Sequence, residues 1–335
     1  LPSFGWISYS SQLNSRRFVS KSRASVAGAS SIDVIALSTI ARWFVKKRGF
    51  VTGIVKVGTG AGQMIIPFLA GILITRYGWR YACVVIGVAV LAILVSIAQL
   101  MRRDPSMMGL SPDGDAQGAA DSSLSPTEGL SVRQALRTSQ FWTLGAAFLA
   151  IVFCLMIVVV HIVPFAHDIK VSPTGAAGIL SAIGGVSMAG RFISGIAIDR
   201  IGSKRVMLFC FILLIAALLW LQIANALWML YLFALIYGLA HGGFFTTFSP
   251  IVAEFFGIKS HGALFGIAMF SGTFGGAIGP FLAGYIYDIT AGYVLAVWIC
   301  ALMAVLGLVL ISLLKPVAVG RTLIHSGAPK PIEFL

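Results

Sequence analysis

The sequence predicts an all-α polytopic membrane protein assembled from two related helical bundles. Three observations carry that expectation. Apolar residues make up 58% of the 335-residue chain and charged residues only 10%, with a mean hydropathy of +0.95; a water-soluble domain cannot present such a surface. A spanning helix needs ~20 apolar residues, and nine runs reach that length, at 24–41, 50–75, 81–101, 141–166, 174–198, 206–224, 227–252, 262–286 and 293–314. Finally, GFVTGIVKVGTGAGQMIIPFLAG (49–71) recurs 213 residues later as GALFGIAMFSGTFGGAIGPFLAG (262–284), with ten of 23 positions identical and no gap. A long apolar repeat of this kind is the mark of a membrane protein with two pseudo-symmetric halves.

The elements follow in order. Residues 1–23 form an aberrant polar segment, rich in Ser, with Arg16, Arg17, Lys21 and Arg23. The 213-residue offset would match residues 1–30 to the hydrophobic stretch 214–243, which they do not resemble. The expectation here is a truncated or frame-shifted N-terminus, with a native polar tail as the alternative. Residues 24–101 are then the remainder of a first bundle. Residues 102–140, with Pro105, Pro112, Pro126 and a Ser/Gly/Ala-rich centre, read as a solvated connector ending in a short surface helix before Phe141 and Trp142. Residues 141–314 hold six spans and form the second bundle; 315–335 are a tail.

Loop charge predicts the orientation. With the 42–49 loop taken as cytoplasmic, the cytoplasmic loops and tail carry 15 Lys and Arg, whereas the opposite loops carry Arg76, Arg80 and Lys170. That bias places the connector and the C-terminus in the cytoplasm. It also reassigns the net charge of +13 from nucleic acid, which is excluded as a partner, to the membrane surface and its lipid. The four cysteines lie in four different apolar runs, as packing residues rather than disulfides or metal ligands. GTGAG at 58–62 lies inside an apolar helix and lacks the strand–turn–helix context of a nucleotide loop. Neither metalloprotease nor Ser–His–Asp spacing is present, so an enzyme is not expected, nor is any cofactor or metal.

Glycines at small-xxx-small spacing let helix backbones approach in lipid. Gly53, Gly62 and Gly71 and their repeats Gly266, Gly275 and Gly284 are the candidates for this packing, with Pro67 and Pro280 as sites where a gating helix could bend. In 190–206, GRFISGIAIDRIGSKRV, the spacing Gly195, Asp199, Gly202, Lys204, Arg205 makes a short charged loop. There Asp199 is expected to latch two helices through a basic group or a helix N-terminus.

That 190–206 stretch resembles the helix–loop–helix signature of the major facilitator superfamily. ARWFVKKRGFVTGI (41–54), RRDPSMMGLSPDG (102–114), ALRTSQFW (135–142) and GPFLAGYIYDITAGY (279–293) look like its monocarboxylate-transporter and oxalate/formate-antiporter branch. The resemblance covers about 24–315 and implies that the nine spans are the family's fourth to twelfth helices, with the first three missing. It implies a secondary transporter of a small organic anion, working by alternating access and driven by a proton or counter-anion gradient. The location expected with it is a bacterial inner membrane. Two other readings stay open: an exporter of drug-like or hydrophobic compounds, and a truncated gene product that does not transport.

Ionisable residues inside spans are expensive and therefore candidates for function. The related transporters carry an arginine in their eighth helix that binds substrate carboxylate, and Arg191 matches its place. A guanidinium offers a planar, permanently charged fork to a carboxylate. His241, near mid-membrane, His161 and Gln63 are secondary candidates for the substrate site. Lys56 lies seven residues inside its span, so its stem is expected to carry the ammonium to the interface. Asp33 is a weaker candidate. The sequence departs from the resemblance twice. Ser187 stands where proton-coupled relatives have an acid one turn before the arginine. The span 262–286 also lacks the lysine of the oxalate exchanger, which favours a monocarboxylate.

Overall fold

The computed structural model describes residues 33–100, 102, 105–108, 113 and 129–315. The expectations for 1–23, for most of the 102–140 connector and for the 315–335 tail lie outside these residues, as do the side chains of Gln63, Pro67 and Gly71. The first described helix, α1, covers 33–43. It is followed by α2 (Arg48–Tyr77), α3 (Trp79–Leu100), α4 (Val132–Leu136), α5 (Ser139–Asp168), α6 (Pro173–Ile201), α7 (Ser203–Ile223), α8 (Leu227–Phe256), α9 (His261–Thr290) and α10 (Val294–Leu313). No strand occurs among the described residues. Seven helices there are long and apolar enough to cross a membrane: α3 and α5 to α10. At 1.5 Å rise per residue, the 30 residues of α2 also exceed a bilayer's hydrocarbon core.

The internal repeat is visible in the helix bounds. A shift of 213 residues carries both ends of α2 onto the ends of α9, the end of α3 onto the end of α10, and the end of α1 onto Phe256 at the end of α8. Both α2 and α9 run unbroken through their prolines, Pro67 and Pro280. Helix stops are set locally. Gly78, Gly202 and Gly257 follow α2, α6 and α8 with φ of 81°, 85° and 78°, a region that costs a residue with a Cβ. The helix α4 starts on a capping box between Ser131 and Gln134.

The largest core is aromatic and aliphatic, with Phe141, Phe148, Phe211, Phe233, Tyr237, Phe244, Phe248 and Phe256 fully or almost fully buried among α5, α7, α8 and α10. Small residues bring the helices to contact. A Cβ on Gly275 of α9 would clash with the Leu149 carbonyl of α5, and one on Gly279 would lie 2.8 Å from the Phe153 carbonyl. The equivalent spacing in α2 does not give the same packing throughout. A Cβ on Gly53 would lie 2.8 Å from the Arg191 carbonyl, but one on Gly62 would meet nothing within 4 Å, and Gly266 and Gly284 stand at ordinary contact distance from single side-chain atoms. The reason is that spacing selects a face of the helix, whereas contact depends on which helix faces it. By contrast α3 exposes Val84, Val88, Leu91, Ile93 and Val95, an apolar face that suits hydrocarbon.

Candidate functional site

The antiparallel pair α2 and α6 positions the site. Residues 49, 53, 56 and 60 share one face of α2, since they recur at three- and four-residue steps. Along that face, Gly49 and Gly195 meet backbone to backbone, Gly53 abuts Arg191 and Gly195, and Gly60 abuts Met188 and Arg191. Beyond this, Cβ atoms on Gly62 of α2 and on Gly184 and Gly185 of α6 would find open space. The two helices are therefore zipped at the end that carries the 42–49 and 199–205 loops, from Gly49 to Gly60. Arg191 lies within that contact, against Gly53 and Gly60.

Arg191 is 2% exposed. Its Nη1 donates to the backbone carbonyl of Lys56 at 2.6 Å, and its guanidinium carbon stands 5.6 Å from the Phe245 ring centroid. Its Nε is buried without a hydrogen-bond partner among the described residues. A glycine at position 60 makes this possible, because a Cβ there would lie 2.8 Å from Nη1. One turn earlier on α6, the Ser187 hydroxyl and His241 Nδ1 are 2.9 Å apart. The His241 ring is 5.0 Å from that of Phe245. Counting from Ile201, Arg191 is about 15 Å up α6, and His241 is at the middle of α8.

Lys56 does not reach for the interface as expected. Its side chain is 5% exposed and its Nζ pairs with Asp33 Oδ2 at 2.8 Å, with the acid side chain 45% exposed. Its Nζ lies 6.0 Å from the Phe245 ring. The stem is turned inward because a carboxylate on the neighbouring helix α1 supplies the partner that water would have supplied. Arg191, Lys56 and His241 thus converge on one phenylalanine that sequence reasoning missed. Phe245 shares the face of His241 at four-residue spacing, and that is the signal that could have found it.

His161 is placed elsewhere. Its ring nitrogens contact Tyr293 Oη at 3.2 Å and the Pro280 carbonyl at 3.0 Å, seven residues from the end of α5 at Asp168. It lies in an aromatic group with Phe165 and Tyr293 rather than beside Arg191.

At the zipped end, Asp199 Oδ1 accepts from Gly49 N–H at 2.6 Å and Oδ2 from Phe50 N–H at 2.8 Å. The carboxylate thereby satisfies two of the orphan donors at the start of α2 and meets the positive end of its dipole. Lys204 Nζ donates to the Ser312 and Leu314 carbonyls at 2.9 and 2.6 Å, which caps the C-terminal end of α10. Arg205 is exposed. Glu254 at the end of α8, not singled out from sequence, accepts from the backbone N–H and the hydroxyl of Ser203 at the start of α7. Asp113 accepts from Val45 and Lys46 N–H, both at 2.9 Å, in the loop before α2. No cluster of metal-ligating side chains occurs among the described residues.

Comparison with known proteins agrees with this fold. The family model described as Major Facilitator Superfamily matches residues 23–196 and again 156–332. Monocarboxylate transporter 12 of Rattus norvegicus is 26% identical over 302 residues, covering 84% of this chain and 62% of its own length. MFS-type transporter 1 of an Ophiocordyceps species is 29% identical over 251 residues, covering 74% of this chain and 52% of its own. The chain therefore spans between half and two thirds of the length of these curated relatives. Among solved structures, the transporter FucP in its outward conformation superposes with a TM-score of 0.63 at 15% identity, covering 84% of this chain and 72% of that one.

Proposed function

The chain belongs to the Major Facilitator Superfamily, and from that premise we propose that it is a secondary transporter of a small organic anion, a monocarboxylate, moving it by alternating access between two helical bundles. The bundles are 24–101 and 141–314, joined by the 102–140 connector, with connector and C-terminus in the cytoplasm. One observation carries the anion: a buried guanidinium between α2 and α6, with a nitrogen that no described residue satisfies. A buried donor left unpaired costs about 1–3 kcal/mol, more when charged, and a substrate carboxylate removes that cost while taking the fork of Arg191. The name of the rat relative, a monocarboxylate transporter, supports the same class. His241 and Gln63 are proposed as secondary contacts.

In this reading Asp199, set between Gly195 and Gly202, latches the cytoplasmic end while the substrate path opens outward, and Lys204 and Arg205 complete the loop. Release of the two amide hydrogen bonds would let α2 and α6 part there and close at the other end. The test is uptake by the full-length protein in liposomes, across labelled pyruvate, lactate and benzoate and the corresponding amides. Accumulation of the acids and exclusion of the amides is the expected result; equal handling of acids and amides would overturn the anion reading in favour of an exporter of hydrophobic compounds.

A further inference from the structure

The run GTGAG at 58–62 puts three glycines on α2 at two-residue steps. Two residues turn a helix by about 200°, so the middle glycine faces away from the other two. A Cβ on Gly58 or Gly62 would find nothing within 4 Å, whereas one on Gly60 would lie 2.8 Å from Arg191 Nη1 and 2.8 Å from Met188 Cγ. A glycine inside a helix is less favourable than an alanine. Of the three, Gly60 is the one whose missing Cβ makes room for a neighbour.

That neighbour differs in kind from the one at Gly53. A Cβ at position 53 meets the Arg191 carbonyl, which belongs to the backbone of α6; a Cβ at position 60 meets side-chain atoms of Arg191 and Met188. The first change forces the helices apart. The second leaves the α2–α6 contact standing and displaces the guanidinium. Helix geometry gives the reason. The carbonyl of residue 56 points along the axis toward residue 60, and a Cβ at 60 tilts back over that turn. A guanidinium can reach the Lys56 carbonyl from α6 only past position 60.

We propose that Gly60 is a positioning residue of the anion site: its missing Cβ seats Arg191 Nη1 on the Lys56 carbonyl, and that seat decides which edge of the guanidinium receives the substrate carboxylate. The inference rests on the anion reading of Arg191. A guanidinium offers a carboxylate an end fork, between Nη1 and Nη2, and a side fork, between Nε and Nη2. With Nη1 donating to Lys56 O at 2.6 Å, the end fork is half occupied. Nε is the buried nitrogen without a partner among the described residues, so the side fork takes the carboxylate. The Phe245 ring, 5.6 Å from the guanidinium carbon, holds the group in this orientation from α8. Displaced from its seat by a methyl at position 60, Arg191 keeps its charge and loses the alignment of Nε.

Uptake kinetics of the full-length protein in liposomes, with pyruvate as the probe, test the assignment. Gly60→Ala should raise KM about tenfold or more, the effect of disturbing one hydrogen bond of a charged group, with the maximal rate and the thermal midpoint near those of the wild type. Gly58→Ala adds the same methyl to the same helix and should leave KM unchanged. Met188→Ala in the Gly60→Ala background makes room on the thioether side alone, so KM should stay high. A second readout needs no variant at position 60. In magnetic resonance spectra of protein labelled at its arginine nitrogens, the Nε–H signal that Arg191→Gln removes should shift when pyruvate is added. Loss of uptake in Arg191→Gln together with a wild-type KM in Gly60→Ala, a KM restored by Met188→Ala, or an Nε signal that saturating pyruvate leaves unmoved overturns this inference alone. Wild-type uptake by Arg191→Gln overturns the anion reading beneath it.

Discussion

Asp199 at the end of α6 and Gly49 at the start of α2 are joined by a 2.6 Å hydrogen bond from backbone amide to carboxylate, across 150 residues of sequence and between the two halves of the repeat. The contact is possible because Gly49 and Gly195 lie backbone to backbone. It places a full negative charge on the amino end of a 30-residue helix.

Replacing Asp199 by Asn keeps one acceptor and removes the charge. An anion at a helix N-terminus contributes about 0.3–1 kcal/mol, rising to about 2 kcal/mol when partly buried, so the zipped end, proposed to face the cytoplasm, should lose about twofold to thirtyfold of its advantage. Accessibility of a cysteine introduced near residue 195 to a cytoplasmic thiol reagent should rise accordingly, and uptake should fall. Unchanged labelling would show that the contact does not hold the closed end.

The glycines of the repeat should divide by what they face. Gly53→Val forces side-chain atoms into the Arg191 carbonyl, 2.8 Å from the Cβ position. It should lower the thermal midpoint of the solubilised protein and reduce transport severely. Gly62→Ala meets open space and improves helix propensity by about 1 kcal/mol, so its midpoint should stay or rise. Equal losses in both variants would mean that spacing, rather than contact, decides.

His161→Phe should separate structure from substrate affinity. The imidazole contacts Pro280 O and Tyr293 Oη, so its loss should lower stability by about 1–3 kcal/mol through the unpaired partners and leave KM for carboxylates unchanged. A large rise in KM would return His161 to the site.

Much of the scaffold was legible in the sequence, and for a definite reason. Hydrophobic runs of bilayer length report helices directly, and the repeat of 49–71 at 262–284 anticipated that α2 and α9 would share their bounds. Arg191 stood out as a charge within an apolar run, and the fold buries it. What was not legible was pairing between helices. Lys56 was expected at the interface because a lone lysine near a span end snorkels; its true partner, Asp33, lies on another helix, and no spacing rule connects them. Phe245 was one aromatic among 23 phenylalanines; its spacing from His241 marks the face, and the fold adds the two cations that approach its ring. Glu254, likewise, acquires its role from the start of α7.

The most direct measurement is uptake of labelled pyruvate into liposomes holding equal amounts of wild-type protein and Arg191→Gln, with insertion verified for both. Accumulation by the wild type, with the variant no better than protein-free liposomes, is the outcome the buried guanidinium requires. Equal accumulation by the two would contradict it and make Arg191 a packing residue.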